Sequence, residues 1–348
     1  MKAFLQRKGV TLSLREYFIT ALSYMALGLF SSLIIGLIIK TLGQELVEKV
    51  SQNFEFLIEM GSFAMDPKIY GAAIGVAIAY GLKAPALVMF AAIFAGAFGT
   101  ELGGPAGSYI AVLFAVEVGK LISNETKLDI ILTPFVTIFT GFTIASLVGP
   151  YINSFMTGFG DTIEWATTQR PFIMGILVAV LMGLALTAPI SSAAIAIMLQ
   201  LDGLAAGAAT IGCSAQMIGF AVSSYRENGF GGLVAQGVGT SMLQIGNIIR
   251  KPVILIPPTV AGIILAPFAT VVFQMENNFA GAGMGTSGFV GQLMTLETMG
   301  TTVETFMLIL ALHIIGPAII SLILSEWLRK MNWIKYGDMK LALNEGGK

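Results

Sequence analysis

Charged residues are scarce in this chain of 348 residues, where Asp, Glu, Lys and Arg together make up 11%. A soluble globular domain carries about 25%, and 55% of this chain is apolar, so a water-soluble globular protein is excluded. Cysteine occurs once, at Cys213, which excludes an internal disulfide. Histidine also occurs once, at His313. No His, Cys and carboxylate group has the spacing of a metal site and no nucleotide-binding motif occurs, so we expect no cofactor.

Long apolar stretches follow one another from Tyr17 to Trp327. Because a spanning helix needs about 20 mostly apolar residues, the pattern predicts an all-α polytopic membrane protein with about 8–10 transmembrane helices. The lipid bilayer is therefore its solvent. Nucleic acid is not an expected partner, because no basic patch is interleaved with aromatic residues. We expect a single integral membrane domain over 1–348, with N-terminal spans over 16–99.

Basic residues gather at the two ends of the chain, and this sets the expected orientation. Lys2, Arg7, Lys8 and Arg15 precede the first apolar run, and Arg329, Lys330, Lys335 and Lys340 are among the basic residues that follow the last. Loops rich in Lys and Arg stay on the cytoplasmic side of a membrane. We therefore expect both termini in the cytoplasm, with residues 328–348 as a cytoplasmic tail.

Two segments are apolar enough for a membrane but too rich in glycine or charge for contact with lipid. They are 99–127, which contains Gly103-Gly104-Pro105, and 281–300. Irregular backbone at membrane depth persists only where protein or a water-filled cavity covers it, so we predict a re-entrant hairpin in each. Full crossing by both would give about ten spans instead of about eight. Residues 203–223 and 229–246 are predicted as two glycine-rich spans joined by a polar loop.

Ionisable residues at membrane depth are candidates for a binding site, because they are costly there. Glu101 precedes the Gly-Gly-Pro break and either offers a carboxylate to a ligand hydroxyl or lies in an interfacial loop. Asn124 and Glu125 belong to a polar group that ends the first hairpin, where a plain loop is the alternative. His313 lies in the final span as a proton relay, a phosphoacceptor or a hydrogen-bonded structural residue.

Neutral polar residues form a second group of candidates. Ser191 and Ser192 follow Pro189, which interrupts an apolar span and exposes backbone groups to a ligand. Four amides in neighbouring glycine-rich segments carry both donor and acceptor atoms, as a sugar hydroxyl does: Gln216, Gln236, Gln244 and Asn247. Hydrogen bonding between helices is their alternative role. These side chains favour an uncharged polyhydroxylated ligand, and no catalytic residue is predicted.

The chain resembles a known family over nearly its whole length, from about Leu12 to Trp327. Two stretches carry the resemblance: GTELGGPAGSYIAVLFAVEVGKLISNETKLDIILTP at 99–134, and TAPISSAAIAIMLQLDGLAAGAATIGCSAQMIGFAVSSYRENGFGGLVAQGVGTSMLQIGNIIRKPVILIPPTVAGIILAPFA at 187–269. They resemble the sugar-specific IIC membrane components of the bacterial phosphotransferase system. The most similar branch includes the perfringolysin regulator-like proteins.

This resemblance implies a homodimeric permease, EIIC, in the inner (cytoplasmic) membrane of a bacterium. It would bind a sugar or sugar-like solute between hairpins, and phosphotransfer would require separate cytoplasmic IIB and IIA proteins. Glucose-type components carry a Thr-Glu-Pro turn, whereas the similar turn here is Thr187-Ala188-Pro189. Two alternatives therefore stay open. One is a transporter-derived sensor or regulator without phosphotransfer, and the other is an ion-coupled secondary transporter for a small solute.

Overall fold

The fold is helical throughout the part of the chain that the structure describes. A computed structural model describes residues 2–10 and 13–341, and these contain no β-strand beyond one isolated bridge between Gly203 and Asn277. The prediction of an all-α protein is confirmed. Contacts divide the chain into two compact units, Met1–Met156 and Thr157–Lys348, and the single integral membrane domain stays a prediction. The end of the predicted tail, 342–348, lies outside the described residues.

The first unit is built from long apolar helices and short connections. Its helices are α1 (Lys2–Arg7), α2 (a run of α- and π-turns over 16–49), α3 (Glu55–Ala64), α4 (Pro67–Gly81), α5 (Ala86–Ile122) and α6 (Asp129–Thr167), the last of which contains the division between the units. Local chemistry sets where α4 starts. Asp66 accepts a hydrogen bond from the Lys68 N–H at 2.8 Å, and Pro67 occupies the first turn, where its missing N–H costs nothing.

Helix α5 is a hairpin of two arms, 86–102 and 105–122. Gly103 (φ −154°, ψ 22°) and Gly104 (φ 59°, ψ −156°) leave the helical region, and the second angle pair is one that glycine adopts readily. Beyond this turn the arms run side by side. A Cβ atom on Gly99 would lie 2.8 Å from the Gly107 carbonyl oxygen. The turn therefore lies inside the predicted segment 99–127, but the first arm already begins at Ala86.

The second unit is a bundle in which several helices are interrupted. Its helices are α7 (Pro171–Thr187), α8 (Ser192–Met198), α9 (Gly203–Ser223), α10 (Tyr225–Val234), α11 (Ile245–Arg250), α12 (Ile256–Pro267), α13 (Phe279–Ala282), α14 (Val290–Met299), α15 (Val303–Ile309) and α16 (Gly316–Lys330). A π-turn at Leu310–Ile315 joins α15 to α16, and one at Phe268–Val272 extends α12. The chain after α16 folds back onto this unit, where Ile334 and Met339 are buried.

Helix α9 lies at the centre of the second unit, and its glycines let neighbouring backbones approach it. A Cβ atom on Gly212 would overlap the Ala179 carbonyl of α7, and one on Gly207 would overlap the Met275 carbonyl. On Gly219 it would lie 2.7 Å from Pro258 Cβ of α12. Small residues at helix contacts are a common means of association in membranes, where van der Waals packing replaces the hydrophobic effect.

Six helical segments among the described residues are long and apolar enough to cross a membrane: Glu16–Gln44, Ala86–Ile122, Asp129–Thr167, Gly203–Ser223, Pro252–Val272 and Val303–Lys330. Helix α7 is apolar but shorter. Each arm of α5 is about 26 Å long at 1.5 Å per residue, close to the thickness of the hydrocarbon core. The prediction of a multi-pass membrane protein is confirmed, whereas the number of crossings stays a prediction.

The predicted span over 229–246 is wrong as a continuous helix. Residues 225–228, predicted as a loop, begin α10, and Gly229 within it has a positive φ of 59°. The chain then passes through a π-turn at Ala235–Gly239, becomes extended at Thr240 (φ −160°, ψ 141°), and resumes at Ser241. Glycine destabilises helix interiors by about 1 kcal/mol per residue relative to alanine, which is why this segment breaks.

Candidate functional site

Three interruptions of helices meet inside the second unit. The first follows Thr187, where Ala188 is extended (φ −78°, ψ 166°). The second is the break at Thr240. The third is the segment 283–289, where Gly285, Gly288 and Phe289 all have positive φ values of 53–59°. For Phe289, a residue with a bulky side chain, this left-handed conformation is rare and is maintained by the surrounding structure.

Side-chain hydroxyls connect the three interruptions. The Thr187 and Ser241 hydroxyl oxygens lie 2.8 Å apart, and Ser192 Oγ donates to the Gly283 carbonyl at 2.7 Å. Thr286 Oγ1 donates to the Gly237 carbonyl at 2.5 Å, and Ser287 Oγ donates to that of Gly239 at 2.8 Å. The hydroxyls of Ser192, Thr286 and Ser287 therefore bind backbone carbonyls that the broken helices would otherwise leave unpaired.

Gln216 on α9 completes this arrangement, which we call the polar cluster. Its Nε2 donates to Thr259 Oγ1 at 2.9 Å, and its Oε1 lies 3.4 Å from Thr187 Oγ1. The polar cluster consists of six buried side chains, none of which carries a charge: Thr187, Ser192, Gln216, Ser241, Thr286 and Ser287. Ser191, predicted alongside Ser192, is half-buried at the same break.

His313 belongs to a second buried polar group in this unit. Its Nδ1 lies 3.1 Å from Gln292 Nε2, which is also 3.4 Å from Ser214 Oγ. Oε1 of Gln292 is buried and accepts no hydrogen bond from the described residues. Because buried polar atoms are nearly always paired, this oxygen is a candidate acceptor for a solute hydroxyl.

The three remaining predicted amides contact one another and the end of the chain. Gln236 Nε2 donates to Ser224 Oγ at 2.8 Å, and Gln244 Nε2 donates to Gln236 Oε1 at 2.8 Å. Asn247 Nδ2 donates to Gln244 Oε1 at 2.7 Å. Gln244 and Asn247 also bind backbone carbonyls of Met339 and Lys340. Their described partners are therefore protein groups, and Gln216 is the predicted amide that lies in the polar cluster.

Comparison with known protein families decides what this helical membrane protein is. The family model described as "Phosphotransferase system, EIIC" matches residues 19–341, which is nearly the whole chain. The chain belongs to the phosphotransferase system EIIC family. It is therefore a membrane permease component of such a system. No curated protein and no solved structure matches the chain.

The other predicted site residues of this EIIC protein lie in its first unit. Glu101 Oε1 pairs with Lys68 Nζ at 3.1 Å, and both side chains are exposed. Glu125 pairs with Lys8 and with Arg7, whose Nη2 is 2.8 Å away. Asn124 Nδ2 donates to Ser123 Oγ at 3.2 Å. Arg7, Lys8, Asn124 and Glu125 help to line a polar cavity of about 410 Å³ that belongs to this unit.

The ion pairs of Glu125 predict a pH dependence of stability. The hydrogen bond from Lys8, together with the charges of Lys8 and Arg7, lowers the pKa of Glu125. A lowered folded-state pKa stabilises the fold above the unfolded value of about 4.3, and this contribution is lost as the pH falls through the folded value. We expect Glu125→Gln to lower the melting temperature of the EIIC protein at pH 7.

The same substitution is expected to have no effect at pH values below both pKa values of Glu125. The measurement is thermal unfolding of both proteins in detergent from pH 7 down to the lowest pH at which they stay folded. Glu59→Gln is the control, because Glu59 is an exposed carboxylate of α3. A difference between wild type and Glu125→Gln that is independent of pH would contradict the assignment.

Several polar residues at the site were not among the candidates from sequence. They are Ser241, Thr286, Ser287 and Gln292. The signal was present for Thr286 and Ser287, which lie between Gly285 and Gly288 in a segment predicted to be irregular. A hydroxyl next to a glycine break is well placed to bind backbone groups. Ser241 and Gln292 were not singled out, because neither lies directly between two glycines.

Proposed function

We propose that this EIIC protein binds and translocates an uncharged sugar or sugar-like solute, and that the polar cluster lines its binding site. The observation that carries the proposal is the meeting of three helix interruptions at buried, uncharged hydroxyl and amide groups. Interrupted helices at membrane depth are a recurrent feature of transporter binding sites, because they present backbone groups to the solute.

The chemistry of the polar cluster favours a polyhydroxylated ligand over an ion. Hydroxyl and amide groups each offer donors and acceptors, so a sugar hydroxyl can replace one of their present partners without loss of hydrogen bonds. A charged ligand would lack a countercharge among these six side chains, and burying an unpaired charge is costly. We assign Gln216, Thr187 and Ser241 to direct contact with the solute, and Gln292 and His313 to a neighbouring contact.

The remaining features of the proposal come from the family. We propose a homodimer in the inner membrane, with both termini in the cytoplasm, where a separate phosphorylated IIB protein transfers its phosphoryl group to the sugar. Ala188 replaces the carboxylate of the glucose-type turn, so the solute contact made there by glutamate must differ in this chain. The perfringolysin regulator-like branch is the part of the family to which we assign it.

Replacing Gln216 with alanine tests the site. We expect wild-type protein in detergent to gain thermal stability with one class among a panel of sugars, sugar acids and sugar phosphates, in a dose-dependent way. Gln216→Ala removes one donor and one acceptor, and we expect it to raise the Kd by about tenfold or more. The matched control is Gln169→Ala, whose amide donates to the Trp165 carbonyl and to Thr168 Oγ1 near the end of α6.

The binding measurements also distinguish the sugar permease from the sensor and from the ion-coupled transporter. Equal affinity in Gln216→Ala and wild type would contradict the assignment of the polar cluster. A folded dimer that binds no member of the panel would favour the sensor, which predicts altered transcription with unchanged uptake in a deletion strain. Solute flux in liposomes that depends on pH or an ion, without phosphotransfer proteins, would favour the ion-coupled transporter.

A further inference from the structure

The segment after the last helix of the second unit folds back and is buried against it. Asn332 (φ 58°) and Gly337 (φ 94°) have positive φ values, which reverse the chain twice after Lys330. Ile334 and Met339 then join an apolar cluster with Phe220, Ile248, Ile254 and Leu328. Both side chains, like that of Leu341, are almost completely buried. This part of the predicted tail is therefore packed protein.

Three amide side chains bind the backbone of this segment. Asn228 Nδ2 donates to the Met339 carbonyl at 2.8 Å, while its Oδ1 accepts from the Leu341 N–H at 2.8 Å. Gln244 Nε2 donates to the same Met339 carbonyl at 2.9 Å, and Asn247 Nδ2 donates to the Lys340 carbonyl at 2.9 Å. In each of these hydrogen bonds, the atom that belongs to the segment is a main-chain atom.

Side chains of the bound segment alternate between the protein and the solvent. Met339 and Leu341 are buried, whereas Lys340 between them is exposed. The segment is a turn over 336–339 followed by residues 340 and 341, and recognition of its main chain by fixed polar groups, with pockets for the flanking apolar side chains, is one way in which proteins bind peptides. The amides thus provide affinity, and the apolar pockets provide selectivity.

Two of these amides, Gln244 and Asn247, belong to the segment 235–247, which also contacts the polar cluster. Gln244 and Asn247 use one amide hydrogen for the segment and the other within the network that leads to Gln236. The next residue, Gly237, accepts the hydrogen bond from Thr286. Ser241, three residues before Gln244, contacts Thr187. Movement of residues 235–247 would therefore break contacts at both places.

We infer that Asn228, Gln244 and Asn247 form a peptide-backbone binding site whose ligand is the chain's own segment Gly337–Leu341, and that this docking holds residues 235–247 in place. The docking itself is independent of solute chemistry. Its consequence for transport rests on the proposed function, because the polar cluster binds a solute only under that proposal.

Hydrogen exchange of the full-length protein tests the inference. Asn228→Ala removes both bonds of the Asn228 amide to the segment, and we expect the Leu341 N–H to exchange at least about tenfold faster. Exchange over 235–247 should rise as well. The matched control is Tyr336→Ala, which alters a highly exposed side chain of the same tail and should leave both regions unchanged.

Two results would overturn the inference. Unchanged exchange at residues 337–341 in Asn228→Ala would show that the amides do not hold the segment. Faster exchange confined to 337–341, with 235–247 unchanged, would show that docking does not hold the broken helix. Asn228→Asp keeps the acceptor for Leu341 and loses the donor to Met339, so its effect should be intermediate.

A truncated chain provides a second measurement. Protein ending at Trp333 should regain protection over 235–247 when a peptide of sequence 333–341 is added, whereas a scrambled peptide should not restore it. If the truncated chain does not fold alone, the yield of monodisperse protein with each peptide gives the same comparison. Equal results with both peptides would overturn the inference. Loss of sugar binding with peptide docking intact would contradict only the proposed function.

Discussion

Replacing Gly212 with alanine is expected to destabilise the second unit by about 3 kcal/mol or more, as overpacking of a dense core does. The added methyl group would overlap the Ala179 carbonyl, so the backbones of α9 and α7 must separate. Helix α9 is buried nearly all round and also contacts α12 and α16, which leaves it no direction in which to move freely. We expect a fall in melting temperature of roughly 6–12 °C.

The control for this prediction is Gly231→Ala on α10. A Cβ atom there would meet nothing within 4 Å, and Gly231 lies in a helical segment. Alanine favours helices over glycine by about 1 kcal/mol, so this variant should be as stable as wild type or slightly more stable. Scanning fluorimetry of both variants in one detergent makes the comparison. Similar losses in the two variants would contradict the close approach of α9 and α7.

Replacing Arg329 with glutamine is expected to cost about 3–5 kcal/mol, because it leaves a buried carboxylate without its partner. Arg329 Nη2 donates to both Glu227 oxygens, at 2.8 and 3.1 Å, and to the Ser223 carbonyl at 3.0 Å. The Arg329 side chain is 9% exposed, and the Glu227 side chain is 0% exposed. Adding Glu227→Gln to Arg329→Gln should restore part of the lost stability, since the unpaired charge is then removed.

A neighbouring ion pair whose arginine is exposed provides the control; its partner Glu326 is half-buried and lies 3.9 Å from Arg329 Nε. Arg226 Nη2 lies 2.9 Å from Glu326 Oε2, and the Arg226 side chain is 62% exposed. Exposed pairs contribute about 0–1 kcal/mol, so Arg226→Gln should change the melting temperature little. Equal losses in Arg226→Gln and Arg329→Gln, or a double variant less stable than Arg329→Gln alone, would show that burial of the Glu227 charge is not the cause.

The helix interruptions could be predicted from sequence because their causes are local. Gly103-Gly104-Pro105 indicated a hairpin, and the turn lies at Gly103 and Gly104. Pro189 indicated a break, and helix α7 ends at Thr187. The prediction of a span over 229–246 shows the limit of this reasoning. Its apolar composition suits a membrane, but six glycines make an uninterrupted helix unfavourable.

Long-range contacts place the predicted site residues at different sites in the structure, and no local sequence pattern indicates these contacts. Gln216 and Gln244 are both amides in glycine-rich, apolar surroundings. Gln216 lies in the polar cluster, while Gln244 contacts the Met339 backbone, which is 95 residues away in the chain. Glu227 resembled a residue of a polar loop, yet it is buried against Arg329, 102 residues further on. Sequence indicated which residue types were available for binding, and packing decided their partners.

The sequence by itself determined that this protein is helical, lies in a membrane and is interrupted at particular glycines and prolines. These properties follow from transfer of side chains into lipid and from the backbone limits of single residues, which act within a few positions. Only the tertiary structure decided that three of the interruptions meet at Thr187, Ser241 and Thr286, and that the amides bind the backbone of residues 339–341. Such contacts depend on how whole helices pack, because the close approach permitted by Gly207, Gly212 and Gly219 sets which distant backbones face one another.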